Sequence, residues 1–208
     1  MRLAFLAALL LAAAPTAAGM RFAPGDIAAW PEHSFDGSTR YETVEAGAGP
    51  AVHAVCDGSA SGLFLEREID LTATPILEWR WRVTDGFPGT APERSKPGDD
   101  FAARLYVVRD GLLPWQTRAL NYVWTRAEPA GAAWPNPFAS QAHMIALRAG
   151  PGEGWHTERR DLRADFARFH DIEPESIDAV AIMTDCDNSG GRAEAWYGGI
   201  RFLPPGGG

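Results

Sequence analysis

Basic runs are missing from this sequence, which contains a single lysine, Lys96, among 208 residues. All other side-chain cations are arginines, and 19 Lys+Arg against 27 Asp+Glu give a formal net charge of −8 at pH 7. A protein that binds nucleic acid needs clustered cations to neutralise phosphates. We therefore expect no nucleic-acid partner, although the arginines can still form a local basic patch.

Long hydrophobic runs are also scarce. The longest covers residues 3–14 and is shorter than the ~20 residues that a membrane-spanning helix needs. One cation, Arg2, precedes this run and small residues follow it up to Ala18, which is the pattern of a secretory signal peptide. We expect residues 1–18 to be the signal peptide of an exported protein, periplasmic or secreted, that does not span the membrane. Residues 19–208 are then long enough for a single domain.

Cysteine occurs only twice, at Cys56 and Cys186. Export would place both thiols in an oxidising compartment, where they can form one disulfide. Two separate, partly buried thiols are the other possibility, because the sequence does not show whether the two Cα atoms come within bridging distance. Both states remain open at this point.

Two familiar catalytic motifs are absent as well. None of the five histidines forms an H-x-H, H-x-x-H or H-E-x-x-H pair, so the sequence gives little support to a zinc site. The residue midway between Gly58 and Gly62 is Ala60, where the nucleophile elbow of a serine hydrolase has its serine. The sequence therefore carries neither a zinc-hydrolase nor a serine-hydrolase motif.

The 16 prolines and 22 glycines are spread between short segments with β character. This spacing predicts an all-β fold, an antiparallel, jelly-roll-like sandwich of two sheets. One short helix is expected over residues 161–170, with Asp161 as its cap and Leu162, Phe166 and Phe169 on one face. The predicted strands are residues 41–45, 51–56, 62–68, 76–83, 101–109, 118–126, 143–148, 155–162, 179–185 and 193–203.

Two of these strands alternate strictly between apolar and polar residues. Successive side chains of a strand point to opposite faces, so the two sets must lie on different sides of the sheet. The residues expected to face the core are Leu77, Trp79, Trp81 and Val83 in the first strand and Phe101, Ala103, Leu105 and Val107 in the second. The residues expected to face outwards are Glu78, Arg80, Arg82, Asp100, Arg104 and Tyr106.

These outward residues would share one surface if the two strands are neighbours. Arginine, carboxylate and amide groups offer fixed, bidentate hydrogen bonds, so such a surface could bind a polar ligand. The alternative is that the residues pair with one another across strands and bind nothing. Residues of later strands that could join the surface are Asn121, Arg148, Glu158 and Arg160.

Two further features suggest ligand contacts outside the strands. Trp115 and Trp134 lie among turn-forming residues, where an exposed indole ring could stack on a sugar or fold back over the core. Asp185, Asp187 and Ser189 alternate before Gly190, which is the opening pattern of a calcium-binding loop. The twelfth position of that pattern is Trp196 instead of glutamate, and Asx-rich turns also join strands without a metal.

Several segments resemble an uncharacterised family of exported bacterial proteins, domain of unknown function 3047. They include SGLFLEREIDL, PILEWRWRV, KPGDDFAARLYVV, LNYVWT, PNPF, GWHTERRDLRADFARFH, DAVAIMTDCDNSG and AWYGGIRF. The resemblance covers nearly all of the chain after residue 18 and implies no activity. A weaker likeness of residues 179–202 to the closing strands of jelly-roll carbohydrate-binding modules implies only a fold, and Gly199 stands where those strands often carry an acidic residue.

The function expected from these features is non-catalytic binding of a saccharide or another polar, or anionic, ligand on the sheet face. One alternative is a glycan hydrolase or lyase that uses Asp100 with Glu78, or Arg104 with Tyr106. Another is a structural component of an envelope assembly. In the binding hypothesis Arg80, Arg82 and Arg104 hold the ligand's polar groups, Asp100 orients them, and Tyr106, Trp115 or Trp134 stack on it.

Overall fold

A computed structural model describes residues 19–84, 86–152 and 154–206, apart from the side chain of Pro114. The predicted signal peptide lies outside the described residues. The strands are β1 Met20–Phe22, β2 Glu32–Asp36, β3 Arg40–Glu45, β4 Pro50–Asp57, β5 Ala60–Asp70, β6 Ile76–Arg82, β7 Ala103–Arg109, β8 Arg118–Thr125, β9 Ala133–Pro135, β10 Ala142–Ala149, β11 His156–Asp161, β12 Ser176–Asp185 and β13 Arg192–Leu203. The α-helices are α1 Pro24–Ala28 and α2 Leu162–His170.

The strands form two sheets, and the chain crosses from one to the other repeatedly. The six-stranded sheet has the order β11-β6-β13-β4-β3, with β1 added beside β13, and the seven-stranded sheet has the order β2-β5-β12-β7-β8-β10-β9. All strand pairs are antiparallel except β8 with β10, which run parallel. The expected all-β, jelly-roll-like sandwich is therefore confirmed, with this one parallel pair as a departure.

The core lies between the sheets and is built around the tryptophans of β6. Trp79 packs against Tyr122 of β8, with ring centroids 5.3 Å apart, and Trp81 packs against Trp124 at 5.8 Å. Both contacts join the two sheets. Trp81 Nε1 also donates a hydrogen bond to Glu158 at 3.1 Å, which satisfies its polar atom. The inward direction predicted for these indoles is confirmed.

The expected helix is α2. The Asp161 carboxylate caps it by accepting a hydrogen bond from the backbone N–H of Ala164 at 3.1 Å, and Leu162 and Phe166 are fully buried. The five-residue helix α1 was not expected, because so short a segment carries no helical periodicity. Among the described residues, no helix is long and apolar enough to cross a bilayer.

The two cysteines are paired. Cys56 lies on β4 of the six-stranded sheet and Cys186 directly follows β12 of the seven-stranded sheet, so the disulfide ties one sheet to the other. Their Cα atoms are 6.2 Å apart although 130 positions separate them in sequence. Of the two states that the sequence left open, the structure has the disulfide.

Two neighbouring histidines make the stability of the fold dependent on pH. His143 of β10 stacks on Phe169 of α2 at 4.9 Å and lies 5.9 Å from the ring of His170, whose Nε2 donates to the backbone oxygen of Ala119 at 3.0 Å. Burial lowers the pKa of both imidazoles below the usual 6.5; His170 also disfavours charge on His143, and Arg118 disfavours it on His170. The neutral rings are therefore the forms that the fold accommodates.

Acidification should consequently destabilise the wild type more than a His143→Gln variant. When a histidine pKa is lowered on folding, the unfolded chain binds more protons, and stability is lost as the pH falls below about 6.5. Urea denaturation at a series of pH values between neutrality and mild acid would measure this difference. The prediction would be contradicted if the free energy of unfolding fell equally with pH in the wild type and in His143→Gln.

Candidate functional site

The predicted arginine-rich surface is divided between the two outer faces of the sandwich. β6 pairs with β11 and β13 in the six-stranded sheet, whereas β7 pairs with β12 and β8 in the seven-stranded sheet. The expectation that Glu78, Arg80 and Arg82 share a surface with Arg104 and Tyr106 is therefore wrong. Side-chain alternation shows which residues point outwards, but it does not show to which sheet a strand belongs.

The outer face of the seven-stranded sheet contains a pocket where polar side chains from several strands and loops meet. Arg104 and Tyr106 lie on β7, and strand pairing places Asn121 of β8 directly opposite Tyr106. The cavity has a volume of about 380 Å³, and we call it the Arg104 pocket. Its polar lining is Asp99, Arg104, Tyr106, Asn121, Asn136, Asp185, Asp187 and Asn188.

Arg104 lines this pocket, but most of its N–H groups are used within the protein. Nε donates to Oδ1 of Asp185 at 2.7 Å, and Nη2 donates to Oδ2 of the same carboxylate. Nη2 also donates to the backbone oxygen of Asp99, and Nη1 donates to the Tyr106 hydroxyl at 3.2 Å. The guanidinium is thus a fixed internal cation and offers few donors to a ligand.

The ionisation of the pocket follows from its burial. Burial raises the pKa of Asp185 to about 7, against the opposing effect of Arg104. Burial likewise raises the pKa of the Tyr106 hydroxyl above its usual 10.0. It disfavours the charge on Arg104, but Asp185, Tyr106 and Asp99 outweigh this effect and hold the pKa of Arg104 well above its ordinary value. At neutral pH, Arg104 is therefore charged and Tyr106 is neutral.

Asn121 lines the pocket with an amide that meets the Tyr106 hydroxyl but makes no hydrogen bond of good geometry in the described part of the protein. The residue is 1% exposed, and neither Oδ1 nor Nδ2 has a partner in hydrogen-bonding geometry, although the Tyr106 hydroxyl lies nearby. A buried amide can make up to four hydrogen bonds, and leaving them unmade costs free energy. A ligand with hydroxyl groups could satisfy both its donors and its acceptor.

Asp99 and Asn136 form a second polar group of the pocket. Asn136 Nδ2 donates to Asp99 Oδ2 at 2.9 Å, and Asn136 Oδ1 accepts from the backbone N–H groups of Phe138 and Ala139 at 2.9 and 3.0 Å. Asp99 Oδ1 is buried without a partner among the described residues. The turn that Asn136 fixes carries Phe138 to the pocket, and this residue is 55% exposed.

Several residues that line the pocket were not predicted from the sequence. Phe35 of β2, which is 58% exposed, also lines the pocket, and neither it nor Asp99, Asn136 or Phe138 was expected there as a ligand contact. The segment PNPF over residues 135–138 was the only available signal for two of them. An asparagine flanked by prolines indicates a turn, however, and does not indicate what the turn contacts.

Neither loop tryptophan lines the pocket. Trp134 is buried in a small apolar cluster on the outer face of the seven-stranded sheet, 6.4 Å from the ring of Phe101. The prediction of an exposed stacking ring is wrong, because β9 pairs with β10 and carries the indole onto the sheet. Phe101, expected to face the core between the sheets, belongs to the same outer cluster. Trp115 is 62% exposed, but it lies in the turn between β7 and β8 and does not line the pocket.

Asp100 anchors a loop and does not line the pocket. Its Oδ1 accepts hydrogen bonds from the backbone N–H and Nδ2 of Asn188 at 3.2 and 3.1 Å, and its Oδ2 accepts one from the backbone N–H of Ser189 at 2.8 Å. The ligand-orienting position expected for Asp100 is therefore wrong. Its sequence neighbour Asp99 lines the pocket instead.

The predicted calcium loop brings three carboxylates together, and one of them, Asp100, was not predicted as a metal ligand. Oxygens of Asp100, Asp185 and Asp187 lie within 4.8 Å of one another. The hydroxyl of Ser189 donates to the backbone oxygen of Cys186 at 3.4 Å. Asp185 is bound by Arg104, and Asp100 holds the loop, so both carboxylates have partners within the protein. Calcium at this loop stays a prediction.

Glu78 lies on the outer face opposite the Arg104 pocket. Its carboxylate is bound by Arg159 at 3.3 Å and by Arg201. Asp100 lies on the loop that leads into β7, on the side of the seven-stranded sheet. The two carboxylates therefore cannot act on one glycosidic bond, and the hydrolase hypothesis that paired them is wrong.

The fold and the pocket define a two-sheet β-sandwich with a cavity on one outer face, whose largely apolar wall also holds several polar side chains. The sequence profile described as "Protein of unknown function (DUF3047)" matches residues 28–201, and the chain belongs to this family. The family resemblance drawn from the sequence segments is therefore confirmed. No curated protein matches the chain significantly.

Solved structures similar to this chain include a hydrolase domain and two carbohydrate-binding modules. The glycoside hydrolase domain of Endo-D from Streptococcus pneumoniae R6 is 12% identical with a TM-score of 0.44, and the match covers 84% of this chain but only 21% of that structure. The family 30 carbohydrate-binding module of a Clostridium thermocellum cellulosomal cellulase is 11% identical, with a TM-score of 0.48 and coverages of 86% and 93%. The xylan-binding module CBM86 from Roseburia intestinalis is 12% identical, with a TM-score of 0.35 and coverages of 92% and 99%. Similarity at this level carries no argument about a ligand.

Proposed function

We propose that the protein is a non-catalytic binding protein whose Arg104 pocket takes a neutral, hydroxyl-rich ligand, a saccharide. The observation that carries this proposal is the unpartnered amide of Asn121, which is buried in the pocket wall. Sugar hydroxyls both donate and accept hydrogen bonds, so they can satisfy Oδ1 and Nδ2 of the same amide. Phe35 and Phe138 supply exposed rings at the same cavity for the apolar faces of a sugar ring.

The charges of the pocket favour a neutral ligand over an anionic one. Three carboxylates line it, those of Asp99, Asp185 and Asp187, against the single cation of Arg104. That cation is already bound by Asp185 and contacts Asp99 at 3.5 Å. An anion entering the cavity would find no free positive charge and would meet an unpaired oxygen of Asp99.

Catalysis receives no support from this geometry. The remaining enzyme hypothesis uses Arg104 and Tyr106 as a lyase pair, but a tyrosine base must ionise and burial raises the pKa of Tyr106. The hydroxyl of Tyr106 accepts from Arg104 and donates to Met183 Sδ at 3.5 Å, so it is held by internal contacts. A structural role in an envelope assembly stays a prediction, which co-purification with another exported protein would test.

A thermal-shift screen tests the proposed function. The disulfide-bonded protein, without residues 1–18, is mixed with neutral oligosaccharides, organic acids, or calcium with a chelator control. We expect at least one neutral oligosaccharide to raise the melting temperature, because ligand that binds only the folded state stabilises it by mass action. No shift with any saccharide would contradict the proposal, and a calcium response reversed by chelator would support the loop site separately.

A further inference from the structure

The outer face of the six-stranded sheet carries a stack of indole rings and guanidinium groups. The guanidinium of Arg82 lies 4.0 Å from the ring of Trp196 and 5.6 Å from that of Trp155. The guanidinium of Arg80 lies 4.7 Å from the same Trp155 ring. His53 stacks on Trp196 at 4.6 Å and extends the row. We call Arg80, Arg82, Trp155 and Trp196 the arginine–tryptophan stack.

Strand pairing builds this stack. Arg82 of β6 pairs directly with Trp196 of β13, and Trp155 immediately precedes β11, the other neighbour of β6. The β13 strand is irregular between Tyr197 and Ile200, and a Cβ atom at Gly198 would overlap the side chain of Arg80. Glycine at this position therefore gives Arg80 the room to lie across the strand.

The two arginines have no carboxylate partner in the described part of the chain. Arg80 donates one hydrogen bond, to the backbone oxygen of Ala48 at 2.9 Å, and Nε of Arg82 is buried without a partner. Glu78 on the same strand is bound by Arg159 and Arg201 instead. Arg80 and Arg82 differ in this respect from Arg104 on the other sheet, whose Nε, Nη1 and Nη2 all donate hydrogen bonds within the protein.

The acidic residue Glu194 lies near the stack but does not pair with Arg80 or Arg82. Glu194 of β13 contacts His53 at 3.4 Å and Arg192 at 4.0 Å. The Arg82 guanidinium lies against the Trp196 ring at 4.0 Å, with the Trp155 ring 5.6 Å away. Its Nε is buried, so the edge formed by Nη1 and Nη2 is the one that a ligand can reach, and no hydrogen bond joins these groups to a described residue. A planar acceptor with two oxygens is the partner that fits such an edge.

From this geometry we propose that the arginine–tryptophan stack is a second binding site, which takes the carboxylate groups of an acidic ligand. It lies on the opposite outer face from the Arg104 pocket, and its charge favours the class of ligand that the pocket disfavours. Alternate residues of a strand are about 7 Å apart, so Arg80 and Arg82 can each bind one carboxylate of a ligand that repeats such groups. An oligomer of a uronic acid has this chemistry.

Calorimetric titration at low ionic strength tests this site with trigalacturonate as the probe. Maltotriose serves as the neutral probe of equal length, and free galacturonate shows whether repeated carboxylates are needed. We expect trigalacturonate to bind, and Arg82→Gln to weaken it about tenfold or more, because the bidentate charge-assisted contact is lost. Arg80→Gln should act in the same direction and provides a second variant if Arg82→Gln does not fold.

Matched variants show whether trigalacturonate binds at the stack. Arg67→Gln removes the same charge from an exposed residue of the seven-stranded sheet and should leave the affinity for trigalacturonate unchanged. Asn121→Leu in the Arg104 pocket should also leave it unchanged, so failure of the pocket proposal would not affect this result. The proposal is overturned if trigalacturonate does not bind, if maltotriose binds equally well at the stack, or if both arginine variants bind like the wild type.

Discussion

Replacing Arg104 with methionine should lower the free energy of unfolding by about 3–5 kcal/mol, because it leaves the buried Asp185 carboxylate without its cation. The Tyr106 hydroxyl and the backbone oxygen of Asp99 would each lose a donor as well. Urea denaturation at mildly alkaline pH measures the effect. Asp185 is ionised at this pH in the wild type, because Arg104 opposes the effect of burial and holds its pKa to about 7. Without Arg104 that pKa rises further, so the variant's Asp185 can take up a proton, and the loss should grow as the pH is raised.

Two comparisons show whether the loss comes from the buried charge. Arg67→Met, at an exposed position, should change stability by no more than about 0.5 kcal/mol. Adding Asp185→Asn to Arg104→Met should recover part of the loss, because no charge is then buried without a partner. An Arg104→Met variant as stable as the Arg67→Met control would show that the ion pair does not hold the pocket together.

Removing the disulfide should have a comparable effect. Cys56→Ser with Cys186→Ser is expected to cost about 2–5 kcal/mol, since the cross-link closes a long loop and restricts the unfolded chain. Its 130-position separation is well over half of the chain, and the bond joins the two sheets next to the Asp187 loop. Both cysteines are fully buried, so two hydroxyls would also be left in the core.

Chemical denaturation of the wild type and of the double variant, each with and without reductant, measures this contribution. Reductant should destabilise the wild type toward the value of the variant and should not affect the variant, which has no disulfide. Equal stability of the oxidised wild type and the double variant would contradict the prediction.

The sequence predicted most of the fold because local rules determine it. Strict alternation over residues 76–83 placed Trp79 and Trp81 in the core, and the glycine and proline spacing indicated a sandwich. The capping aspartate and apolar spacing of α2 were equally local signals. The parallel pairing of β8 with β10 had no such signal, since pairing depends on contacts between distant segments.

The site was harder to predict for the same reason. Alternation separates outward from inward residues, but the long connection after β6 takes the chain to the other sheet and divides the expected surface. Asp99 and Asp100 are adjacent in sequence, and only the turn before β7 decides which of them faces the pocket. Phe35 reaches the pocket from the edge strand β2, which was not among the predicted strands.

The most direct test of the binding proposal is the affinity and stability of Asn121→Leu, with Gln116→Leu as a control at an exposed amide outside the pocket. If the unused Asn121 amide is kept for a ligand, leucine should raise the free energy of unfolding by up to about 1–3 kcal/mol and abolish calorimetric binding of the oligosaccharide found in the screen. The account would be contradicted if Asn121→Leu bound the oligosaccharide with the same affinity as the wild type and as the Gln116→Leu control.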